Sequence, residues 1–82
     1  MTHSLVYINN KDYAILTASL ADSDSFTEEN MIAYLSQYNL SGTIGDAFVT
    51  DHVQQTITIA FELTPDTTCS EEEWNDKIAI FN

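Results

Sequence analysis

The most regular stretch of the chain is 55–63, where Ile57, Ile59, Phe61 and Leu63 alternate with Thr56, Thr58, Ala60 and Glu62. Successive side chains on a strand point to opposite faces, so this period of two predicts a strand with one apolar face. Leu5-Val6-Tyr7-Ile8 and residues 14–20 form two further β-branched, aromatic and aliphatic runs, separated by Asn9-Asn10-Lys11-Asp12. Asn and Asp tolerate the backbone of tight turns, and a β-hairpin is predicted here. Within the second run Ala14, Leu16, Ala18 and Leu20 share one face and Tyr13, Thr17 and Ser19 the other, while Ile15 interrupts the alternation. A weaker strand is predicted over 43–50, with Ile44 and Phe48 on one side and Asp51-His52 leading into 55–63 as a second hairpin.

Two segments carry helical spacing instead. Thr27 precedes Glu28-Glu29, Phe26 and Met31 are placed as a hydrophobic staple, and Ser25 with Glu28 offers an alternative capping box. Met31, Leu35 and Tyr38 follow at i, i+4, i+7, and Asn39 suits a left-handed stop, so a helix is predicted over about 28–39. Ser70-Glu71-Glu72-Glu73 matches the S-x-x-E capping box and opens a second, C-terminal helix with Trp74, Ile78 and Phe81 near one face. Ala21-Asp22-Ser23-Asp24-Ser25 and 64–68 read as turns, the latter ending the sheet at Pro65-Asp66. The order ββαββα predicts one α+β domain over 1–82, a sheet of about four strands packed against two helices.

Composition changes the picture through its charge. The formal net charge is −11, and the anomaly lies in the missing base: thirteen Asp plus Glu stand against Lys11 and Lys77 alone. Apolar residues are 44% of the chain, enough to drive folding despite that imbalance. Direct nucleic-acid binding needs a row of cationic contacts to phosphate, and anionic membranes recruit polybasic segments; this chain supplies neither. No apolar run reaches the roughly 18–20 residues of a membrane span, and Met1-Thr2-His3-Ser4 lacks signal-peptide character, so a cytoplasmic protein is expected. Cys69, the sole cysteine, excludes an internal disulfide within the chain.

Catalytic chemistry finds little to work with. His3 and His52 are the candidate bases, and no motif frames either with a nucleophile. Cys69 lies just before a predicted helix start, where the dipole favours thiolate; against this stands an ordinary free cysteine in a loop. Asp22, Asp24, Glu28 and Glu29 resemble an acidic Ca²⁺ loop, but an EF-hand wants Gly at position 6 and Glu at position 12, where Thr27 and Ala33 stand. His3, His52 and Cys69 lack the spacing of a zinc site, and two isolated glycines make no phosphate loop. The expectation is a non-enzyme with no cofactor and no metal.

The acids themselves have a local explanation and a wider one. Glu28, Glu29, Glu71, Glu72 and Glu73 occupy first helical turns, where negative charge contributes about 0.3–1 kcal/mol each. The remaining eight acids and the scarcity of bases are not explained that way, and uncompensated repulsion opposes folding. Duplex DNA carries one charge per roughly 1.7 Å, so eleven excess charges correspond to about 19 Å of duplex, comparable to the face of a domain with a radius of gyration of about 12 Å. The function this predicts is an inhibitor that mimics nucleic-acid charge and occupies the nucleic-acid-binding site of a basic host protein, such as a CRISPR or restriction effector. Asp22, Asp24, Glu28 and Glu29 form one predicted contact cluster; Glu71, Glu72, Glu73 and Asp76 form the other.

Two alternatives use the same charge. An immunity protein would plug the active site of one basic nuclease toxin and add an aromatic anchor, for which Trp74 and Tyr34 are candidates against ordinary packing roles. An acidic adaptor from a saline habitat would need no basic partner. In size and charge the chain resembles the small acidic anti-restriction and anti-CRISPR proteins of phages, which implies residence in a host-cell cytoplasm; the resemblance is compositional and carries over no residue. Homodimerisation edge to edge is a further expectation, with 43–50 as the candidate edge.

Overall fold

In the computed structural model, which describes residues 1–45 and 48–82, the predicted α+β architecture is present. Strands β1 (Thr2–Ile8) and β2 (Lys11–Ser19) are followed by a 3-10 helix (Leu20–Ser25) and α1 (Glu28–Ser36). Then come β3 (Gly42–Ile44), β4 (Val49–Asp51), β5 (Thr56–Leu63) and α2 (Glu71–Phe81). All pairings are antiparallel: β1 pairs β2, β2 pairs β5, and β3 and β4 share the far side of β5. The sheet thus has five strands where about four were predicted, because the edge expected as one strand over 43–50 is two short pieces. Ile44 lies opposite Phe61 and Val49 opposite Thr58, so two extra residues are taken up between the pieces. The part of that predicted strand on Asp46 and Ala47 lies outside the described residues.

Local chemistry sets each boundary. Asn9 and Asn10 alone form the first turn, both at positive φ (52° and 65°), the geometry that matches the twist of a two-residue hairpin. Lys11 and Asp12, read as turn residues from the sequence, instead begin β2. Thr27 caps α1 by accepting from the Asn30 N–H at 3.2 Å, with Phe26 and Met31 both buried around it. Ser25 does not cap; its hydroxyl donates to the Asp22 carbonyl. At the other end Asn39 adopts φ 58°, and Leu40 N–H donates to the Leu35 carbonyl, closing a Schellman-type stop in which both leucines are buried. Ser70 caps α2 through the Glu73 N–H, while its own hydroxyl donates to Glu73 Oε1.

Both helices cover the same face of the sheet. Ala14, Leu16, Ile57, Ile59, Phe61 and Leu63 point into the core, where Phe61, Phe81, Leu16, Leu35 and Ile59 are the largest fully buried side chains. The opposite face is uncovered: Val6, Ile8, Tyr13, Ile15 and Ala60 line a shallow apolar depression there, and the Thr17 and Thr58 hydroxyls meet at 3.0 Å. Ile15 broke the sequence pattern because it belongs to this open face. The molecule is elongated, 41 × 24 × 19 Å with a radius of gyration of 13.1 Å. No helix among the described residues is long and apolar enough to cross a membrane.

Candidate protein-docking surface

The eight predicted contact residues are all exposed, and the chain path sorts them into two groups at opposite ends of the sheet. Leu20 N–H donates to the Gln55 carbonyl at 2.9 Å, which pins the 3-10 helix, and the start of α1 after it, beside the first residues of β5. Asp22, Asp24, Glu28 and Glu29 therefore crowd that end. At the other, α2 begins beyond the last residue of β5, and the Trp74 indole reaches Asp12 Oδ2 at 3.4 Å near the start of β2. Glu71, Glu72, Glu73 and Asp76 gather there. Eight residues of β5 at about 3.3 Å each separate the groups by about 25 Å. The sequence assigned the clusters; the antiparallel course of α1 and α2 separates them.

Cation placement decides what these acids can do. Lys11 Nζ lies 2.7 Å from Glu62, whose hydrogen bond and charge push the Lys11 pKa up, and Lys77 Nζ lies 3.4 Å from Asp66. Both cations of the chain are thus engaged by acids outside the two groups, and among the described residues none of the eight has a cationic partner. In one group Thr27, Glu28, Glu29 and Ile32 line an open depression, with Ile32 40% exposed. A Lys or Arg side chain entering it would lay its aliphatic stem on Ile32 and present its head to the two carboxylates.

Charge density along the molecule differs from the sequence expectation. Over 41 Å a duplex carries about 24 charges and one strand about 12. Averaged over that length, the protein's excess of eleven is near the linear charge density of a single strand and about half that of a duplex, although eight of its acids are gathered in the two groups.

The other candidate groups have structural occupations. Cys69 Sγ donates to Asp66 Oδ2 at 3.4 Å; burial first, then this carboxylate, push the thiol pKa up, against the direction the helix start alone would give. Asp66 also accepts from the Thr68 hydroxyl and N–H, which, ahead of Cys69 and Lys77, hold its carboxyl well below the usual carboxylate range. His52 is exposed in the turn before β5. His3 stacks on Phe81 with ring centroids 4.4 Å apart, and its Nδ1 meets the Tyr34 hydroxyl; Tyr38 packs edge-on against both His3 and Phe81. This cluster ties β1, α1 and α2 together and is not visible in the sequence, where Tyr38 falls with Met31 and Leu35 on the helix face and Tyr34 is a candidate anchor. Trp74 and Tyr34, the candidate anchors, are half-buried against the core, as their packing roles require. No protein-family model, curated protein or solved structure matches the chain.

Proposed function

We propose that the protein is a non-enzymatic inhibitor whose two carboxylate groups occupy the nucleic-acid-binding site of a basic host protein, a CRISPR or restriction effector being the type. The observation that carries this reading is the disposition of charge: both lysines are paired with Glu62 and Asp66, leaving eight exposed acids without a cationic partner among the described residues, at opposite ends of the sheet. An anionic surface held on a folded scaffold enters a basic groove at high on-rate and with little ordering cost. The average charge per unit length favours a channel built for one strand over a groove built for a duplex.

Affinity capture from a host lysate, followed by challenge of the captured complex with single-stranded and duplex nucleic acid, tests the proposal. The expected result is a basic nucleic-acid-binding protein displaced more readily by the single strand. Capture that survives excess nucleic acid, or that persists when all eight acids are replaced by Asn and Gln, would overturn it.

A further inference from the structure

The two edges of the sheet are unlike. On the β3/β4 side the strands are three residues each, interrupted by the two-residue slip, and end at Asp51. Such interruption blunts an edge against pairing. The edge expected from the sequence to be open is therefore the protected one. On the other side β1 runs seven residues without a break, Thr2 to Ile8, and contains no charge and no proline. No described segment pairs with its outer side.

Register shows which backbone groups it offers. Ile8 and Lys11 close a two-residue turn, and in such a hairpin the closing pair exchanges both backbone hydrogen bonds, a pattern repeated at every second pair. Val6, Ser4 and Thr2 thus bond inward to Tyr13, Ile15 and Thr17, and the N–H and C=O groups of His3, Leu5 and Tyr7 point outward. These three positions are symmetric about Leu5. A two-fold axis there sets Leu5 against Leu5 and His3 against Tyr7 of the other copy, satisfies all six outward groups, and places two aromatic cross-strand pairs beside a leucine pair. Tyr7 is 66% exposed and open to such a neighbour.

We infer that β1 is a self-association edge, through which a second copy of this chain adds antiparallel β1 to β1 and makes one continuous sheet. Charge selects the occupant: a basic segment is drawn to the acids at the two ends, whereas β1 offers a neutral strand and a second copy brings an equally neutral one. Because each copy carries −11, association tightens as salt rises, the reverse of docking on a basic partner.

Sedimentation equilibrium of the intact chain in low and molar salt, combined with amide hydrogen exchange at low and high protein concentration, tests this. The expected result is a two-chain mass favoured by salt and by concentration, with the amides of His3, Leu5 and Tyr7 gaining protection as it forms. Tyr7→Pro removes only an outward N–H and should return the chain to a monomer, while Tyr7→Phe keeps the dimer. A monomer under every condition, a dimer whose newly protected amides lie on the open face or on β3/β4, or a dimer that survives Tyr7→Pro in a folded chain would overturn the inference. If Tyr7→Pro fails to fold, the exchange pattern of the unmodified chain decides alone.

Discussion

Asp66 concentrates more polar contacts than any other acid described: Thr68, Cys69 and Lys77 all turn to it. Its folded pKa is depressed, so its contribution is fully present above the unfolded carboxylate value of about 4 and is lost as pH falls below that. Asp66→Asn should therefore lower the urea midpoint at pH 7, with the gap from the unmodified protein beginning to narrow only as pH falls below about 4. The same substitution removes the charge facing Cys69, so iodoacetamide labelling, slower than a free thiol at pH 8, should accelerate. Tyr34 runs the other way. Burial, then the neighbouring Tyr38 phenol, push its phenol up to about 12. An acid whose folded pKa is raised loses its contribution as pH climbs from the unfolded value, about 10, toward the folded one. Stability measured by circular dichroism should fall between pH 10 and 12, and Tyr34→Phe should flatten that limb, with one late-titrating tyrosine missing from the ultraviolet titration.

Among the elements, β3 depends on one glycine. A Cβ at Gly42 would lie 2.7 Å from the Glu62 carbonyl oxygen, backbone that cannot move without parting β3 from β5. Gly42→Ala should cost about 1–3 kcal/mol by chemical denaturation and deprotect the β3 amides before those of β2. The sequence disclosed most of this layer. Alternation in 55–63, the Thr27 and Ser70 caps and the Asn39 stop depend on residues within a few positions of one another, and each appears where it was expected. The split of 43–50 was hidden, because a register slip is set by the partner strand and not by local propensity. The cluster around His3 was hidden for the same reason: Tyr34 lies 31 residues away and becomes its neighbour only when two helices settle on one face. At the candidate docking surface the exposure of Glu28, Glu29, Glu71, Glu72 and Glu73 was legible from their place at helix starts; the division of the eight acids between two ends required the antiparallel path of α1 and α2.

For the molecule as a whole, self-repulsion and partner attraction answer salt in opposite senses. Raising salt from low to molar screens eleven excess charges, so unfolding midpoints should rise, while the logarithm of affinity for a basic partner should fall linearly with the logarithm of salt. Replacing all eight candidate acids by Asn and Gln leaves a net charge of −3, and should flatten both trends together. A saline adaptation without a basic partner would show the first trend alone. The 25 Å of sheet between the acidic poles has a kinetic consequence. If the protein docks as proposed, seating one pole would tether the other at a high effective concentration over whatever lies that far along the target, and escape would require both to let go at once. A target fragment carrying one basic lobe should then dissociate far faster than the intact protein, although every contact it makes is unchanged.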